Sequence, residues 1–163
     1  MMIARNKTGK RRGIVWTVEA AVVLPLLLLV FFAVFEYARF LFTVQMVNNA
    51  AREGARYAVT NIATASTSQV QTYVDNYMAG QGVQLQGYTP ANNIKVFQAN
   101  PATGQDNSGG WQNTKPGYPI GVQINGTYTP VLFGSFKLFG NTQVSILGST
   151  TIKATCIMTS EAN

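Results

Sequence analysis

The sequence predicts an α+β fold. A long N-terminal helix, transmembrane in its first half and amphipathic in its second, carries a small antiparallel β-sheet domain, lollipop-like in outline. Three observations point there. An apolar run from Ile14 to Phe35 holds a single charge, Glu19, and a single proline, Pro25. Helical spacing of apolar residues continues past that run to Val59 without a break. Beyond Gly80, apolar and polar residues begin to alternate instead, which is the period of a strand.

The chain has 163 residues and a formal net charge of +6. Five cations, Arg5, Lys7, Lys10, Arg11 and Arg12, precede the apolar run with no acid among them. The remaining seven cations face six acids, so the basic character belongs to a tail and not to the surface of a fold. Such a distribution argues against nucleic acid as a partner, because that surface wants cations interleaved with aromatics over a whole face. A cationic cluster ahead of an apolar run is a topology signal. It places residues 1–13 in the cytoplasm as a basic leader, and the chain beyond the span outside it.

The apolar run reaches about 33 Å as a helix, enough to cross a hydrocarbon core of about 30 Å. Pro25 is compatible with a membrane helix, with a kink expected near Ala21 to Pro25. A cleavable secretory signal shares the basic start and apolar centre. However, no small-x-small site follows, and the run is long for such a signal.

From Glu36 onward the apolar positions are Tyr37, Phe40, Leu41, Val44, Val47, Ala51, Ala55 and Ala58, opposite Gln45, Asn48, Asn49, Arg52, Glu53 and Arg56. Glu36 with Arg39, and Glu53 with Arg56, have ion-pair spacing on an exposed helix. Ala50, Gly54 and Ala58 recur every four residues, which lets another backbone approach closely. That backbone belongs either to another subunit or to the chain's own domain. One helix over residues 14–59 would be about 65–70 Å long.

An extracytoplasmic α+β domain is expected over residues 60–163. Thr60 to Ser68 is linker-like. Ser68 with Gln71 has capping-box spacing ahead of a short helix over about 69–79, and Gly80 suits its C-terminal cap. Ile94 and Val96 start a strand, and residues 101–119 read as a long Gly/Pro-rich loop. Ile120, Val122 and Ile124 form a second strand. Asn125-Gly126 then permits a tight hairpin or a bulge in one longer strand. Val144 and Ile146 start another, and Ile152, Ala154, Cys156 and Met158 alternate most cleanly of all. Between strands lies PVLFGSFKLFGN, whose Leu132, Phe133, Phe136, Leu138 and Phe139 offer an apolar surface to a partner or membrane, or cap the small core.

Chemistry is sparsely represented. Histidine is absent, which removes the commonest general base and metal ligand together. Cys156 is the only cysteine, so the chain forms no internal disulfide. Asp75, Asp106 and Glu161 lie far apart in sequence. No phosphate-cradling loop follows a strand. No catalytic residue, metal, cofactor or small-molecule substrate is expected, and the chain is not read as an enzyme.

The first third resembles the TadE-like family, pilin-like components of bacterial tight-adherence (Flp) pilus systems. The residues that carry this are Arg12-Gly13, Val18-Glu19-Ala20, Leu24-Pro25-Leu26-Leu27, Glu36-Tyr37-Ala38-Arg39 and, most specifically, Asn49-Ala50-Ala51-Arg52-Glu53-Gly54-Ala55-Arg56. A strand ending Ala154-x-Cys156-x-Met158 is similar to longer members. The resemblance implies a pilin-like lollipop and a pseudopilin or minor-pilin role in pilus assembly or secretion. It places the chain as a single-pass protein of the inner membrane with a periplasmic domain. Implied partners are the membrane, other pilin or pseudopilin subunits, and a prepilin peptidase that would cut between Gly13 and Ile14. Glu19 would be the pilin-type glutamate of assembly. It lies six residues after the glycine, where family members place it five after. An ionisable group inside the membrane end also reads as functional on physical grounds, since it needs a partner there.

Overall fold

The computed structural model describes residues 8–83, 85–115, 117–131, 136–137, 143–144 and 148–159. Elements follow in the order α1 (Thr8–Thr60), α2 (Thr67–Gly80), α3 (Pro90–Asn93), β1 (Ile94–Gln98), a 3-10 turn (Trp111–Asn113), β2 (Pro119–Tyr128), β3 (Phe136–Lys137), β4 (Gln143–Val144) and β5 (Thr150–Thr159). The class is α+β, with a long apolar N-terminal helix and a three-stranded antiparallel sheet. The chain divides into two compact units, residues 1–38 and 39–163, and α1 contributes to both.

α1 is one helix of 53 residues, about 80 Å by its rise. It starts six residues earlier than Ile14 and runs through Pro25. Within the second unit its buried stripe is Thr43, Val47, Ala50, Ala51, Gly54, Ala55 and Ala58. Tyr37 and Leu41, expected on that stripe, are exposed. A tight turn follows instead of a loose linker: Thr64 and Ala65 both donate to the Asn61 carbonyl, and Ala65 is buried.

The N-terminus of α2 corrects the expected cap. Ser66 is the N-cap, and its capping box closes with Gln69, not Ser68 with Gln71. The run Ser66-Thr-Ser-Gln-Val-Gln fits the S-x-x-Q pattern in two registers. Packing selects the first, because it puts Ala65 before the cap and Val70 one turn on, both buried, as a hydrophobic staple. The C-terminus is displaced too. Gly82, at φ +69°, supplies the left-handed residue, not Gly80. Val83 N–H donates to Met78 C=O at 3.1 Å and Gly82 N–H to Ala79 C=O at 3.0 Å, which is a Schellman closure.

The sheet order is β1-β2-β5, antiparallel throughout, with β2 central. β2 pairs Ile94 to Gln98 with Ile124 to Ile120 on one side, and Thr150 to Thr159 with Tyr128 to Pro119 on the other. Neither hairpin nor bulge forms at Asn125-Gly126: the strand runs straight through, with Gly126 opposite Ile152. Gly126 serves close approach instead of a turn, since a Cβ there would overlap Leu85. Gly121 works the same way beneath Phe97, its cross-strand partner.

The core of the second unit lies between one face of this sheet and the two helices. Ile94, Ile120, Val122, Ile124, Ile152 and Ala154 meet Val47, Ala50, Ala51, Ala55, Ala58, Val70, Val74 and Met78. Each fully buried aliphatic side chain contributes on the order of 1.5–3 kcal/mol. Trp111, in the stretch expected to be only a loop, is 3% exposed and belongs to this core. Its indole N–H donates to Thr67 Oγ1 at 2.9 Å, and Gln112 Nε2 donates to Ala65 C=O at 3.0 Å. The long loop is thereby pinned to the start of α2. β3 and β4 form a separate two-stranded ladder, Phe136 to Val144 and Lys137 to Gln143. Ile146 lies outside the described residues.

Candidate functional site

The sequence-predicted site residues fall mainly on α1. Gly13 and Ile14 are in its first turns, inside helical backbone. Glu19 follows on the same helix with its side chain exposed. From Trp16 to Phe35 every described residue is exposed, with Trp16 at 72% and Leu26 at 67%. An α-helix so apolar on all sides cannot remain in water, since it offers no polar face. The helix is long and apolar enough to cross a membrane, with a mean hydropathy of 2.7 over its best window. One such helix near an N-terminus is consistent with membrane anchoring.

Ala50, Gly54 and Ala58 lie at the other end of α1, all buried. A Cβ on Gly54 would overlap Val74 Cγ2 and come within 3.3 Å of Val122 Cγ1. This small-residue row therefore sits against the chain's own α2 and β2. Arg52 and Arg56, in the same stretch, are exposed. Near the middle of α1, Glu36 is only 4% exposed, whereas its sequence context suggested a solvated ion pair. Arg39 lies 5.9 Å from the Tyr128 ring centroid, and Phe40 meets that ring edge-on at 5.4 Å.

Residues 15–56 match the TadE-like protein family model. The matched stretch covers about a quarter of the chain. No curated protein and no solved structure matches the chain. The TadE-like segment begins just before the bare apolar stretch and ends in the row that seats α1 on its domain. It contains Glu19, Ala50 and Gly54, while Gly13, Ile14 and Ala58 lie just beyond its ends.

Outside the TadE-like segment, the apolar candidates at 132–139 yield little geometry. Leu132, Phe133, Leu138 and Phe139 lie outside the described residues, and Phe136 is described only as backbone in β3. Depressions mark the described residues of the second unit. A shallow groove of about 320 Å³ is lined by Tyr57, Ser68, Gln69, Thr72, Tyr73 and Asn76, its tyrosine rings stacked at 4.5 Å and 10°. A second, of about 300 Å³, is lined by Asp75, Met78, Ala79, Val83, Leu85 and Tyr88. Burial, with the Asp75 carboxylate nearby, pushes the Tyr88 phenol well above its ordinary range. The Tyr88 hydroxyl itself makes no hydrogen bond among the described residues.

Titratable groups with shifted behaviour are dispersed. Lys95 Nζ lies 2.5 Å from Asp106, and its hydrogen bond, helped by Ser108 N–H, holds that carboxyl below the usual range. Burial pushes the Cys156 thiol up, partly offset by the positive charge of Arg52. Among the described residues no three His, Cys, Asp or Glu side chains gather as a metal site. TadE-like proteins are a structural, pilus-associated family, and the match suggests an involvement with tight-adherence pilus systems.

Proposed function

We propose that this chain is a pseudopilin or minor-pilin-like structural subunit, anchored in the inner membrane, that serves assembly of a tight-adherence (Flp-type) pilus or a related secretion system. One observation carries this reading. The TadE-like match spans a single continuous helix that is bare and apolar at one end and buried in a folded domain at the other. Such a helix couples events in the bilayer to a domain outside it.

The basic leader at 1–13 keeps the N-terminus cytoplasmic, residues 14–59 span and project, and residues 60–163 fold in the periplasm. Glu19 is the assembly contact: a carboxylate near the membrane end meets the N-terminal amine freed when a prepilin peptidase cuts after Gly13, on a neighbouring subunit or on its own chain. Other pilin or pseudopilin subunits and the membrane are its partners.

Glu19→Ala in the full chain tests this. The variant is expected to remain in the membrane fraction while pilus assembly or secretion is lost. Normal assembly by the variant would overturn the role of Glu19. Normal function with residues 1–35 replaced by an unrelated membrane anchor would favour an anchored binding module instead. Intact mass of the mature membrane protein reports processing separately, with an N-terminus at Ile14 expected.

A further inference from the structure

The groove bordered by Tyr57 of α1 and one side of α2 plays no part in the assembly role. Val70, Val74 and Met78 turn one side of α2 to the core. Ser68, Thr72 and Asn76, one turn apart, therefore fall on the opposite side, and all three are exposed. With Gln69 they line the groove with neutral hydroxyl and amide groups. Much of that lining is uncommitted. The side chains of Thr72 and Asn76 bond to no other described residue. Gln69 engages only its Oε1, which accepts from Ser66 N–H at 2.7 Å, so its Nε2 is unused among the described residues.

The rest of the lining is aromatic. Tyr57 and Tyr73 lie nearly parallel, with 4.5 Å between centroids and 10° between planes. That stack occupies one face of each ring. Tyr57 is half-buried, whereas Tyr73 keeps 38% of its surface exposed, so the open area of Tyr73 falls on its outer face and edge. Among the described residues no charged side chain lines the groove, and Asp75, the nearest acid on α2, borders the other depression.

This lining selects a ligand chemistry. A charged ligand would find no ionic partner to offset its lost hydration. A wholly apolar one would cover hydroxyls and amides without bonding them. A proline-rich segment docks in a groove between aromatic rings, and the stacked tyrosines leave no slot between them. A pyranose ring meets both demands at once: its axial C–H bonds make an apolar face, and its equatorial hydroxyls donate and accept hydrogen bonds around the rim. We propose that the groove binds a neutral carbohydrate, with one sugar ring stacked on the outer face of Tyr73 and its hydroxyls bonded to Thr72, Asn76 and the Gln69 amide. The volume of about 320 Å³ is at the lower end for a ligand site, so the unit held is small, a mono- or disaccharide.

The test uses the full-length chain in a detergent without a sugar headgroup. The probe is cellobiose, whose rings carry their hydroxyls equatorially. Saturation-transfer NMR is expected to show contact concentrated on its axial ring protons. Mannitol, as rich in hydroxyls but without a ring face, should show none. Tyr73→Ala should weaken cellobiose binding about tenfold, the worth of one aromatic stacking contact, while Tyr73→Phe keeps most of it. Asn76→Ala should weaken it as well, and thermal unfolding of each variant verifies that the fold is intact. No contact with cellobiose, contact no greater than mannitol's, or undiminished binding by Tyr73→Ala would each overturn the site. Tighter binding of a proline-rich peptide would overturn it too. None of these outcomes touches the assembly role, which Glu19→Ala tests separately.

Discussion

Gly54 marks the closest approach of α1 to its domain, and its cost and benefit can be separated. A glycine inside a helix gives up about 1 kcal/mol relative to alanine. Here the missing Cβ lets Val74 and Val122 pack against the helix backbone. Gly54→Val is therefore expected to lower stability by about 2 kcal/mol or more through overpacking. Thermal unfolding of the detergent-solubilised full chain measures this, and an unchanged midpoint would refute the tight packing. Cys156 offers a pH-dependent readout. Its thiol is pushed above the ordinary range by burial, so folding favours the neutral form. That contribution is fully present below the unfolded thiol's pKa and is lost as pH rises through the folded one. The alkylation rate of Cys156 in the folded chain should rise at higher pH than in the same chain unfolded in denaturant. Coincident profiles would contradict the burial.

At the scale of elements, local patterns were readable and their registers were not. Two S-x-x-Q patterns overlap ahead of α2, and only the burial of Ala65 with Val70 chooses between them. Ser66→Ala is expected to cost about 1 kcal/mol. Ser68→Ala should stay within about 0.5 kcal/mol, as an exchange at a surface position. Equal losses in chemical denaturation would mean the cap is shared. Asn125-Gly126 shows the same dependence on context. The dipeptide suits a hairpin, yet ladders on both sides of β2 hold it extended, and its glycine instead admits Leu85. Trp111 gave a weaker signal, a lone large aromatic in a Gly-rich loop. What makes it part of the core is burial among residues far away in sequence, with its indole N–H bonded to Thr67, 44 residues away.

For the whole molecule, the exposed apolar stretch Trp16–Phe35 demands cover. The full chain is expected to sediment with membranes and to resist alkaline carbonate extraction. Protease added to spheroplasts should digest the domain and spare the N-terminal tail. Digestion of the tail instead would reverse the proposed orientation. The helix and the class of the fold could be read from the sequence because periods of 3.6 and 2 residues are local properties of the chain. By itself the sequence determined the apolar span, the helix that continues from it, the alternation of β1, β2 and β5, and the resemblance carried by residues 11–56. Tertiary structure alone decided that β2 is central and that Ala50, Gly54 and Ala58 face the chain's own core. Each of these depends on which distant segments meet, and a local pattern specifies a face without specifying what covers it.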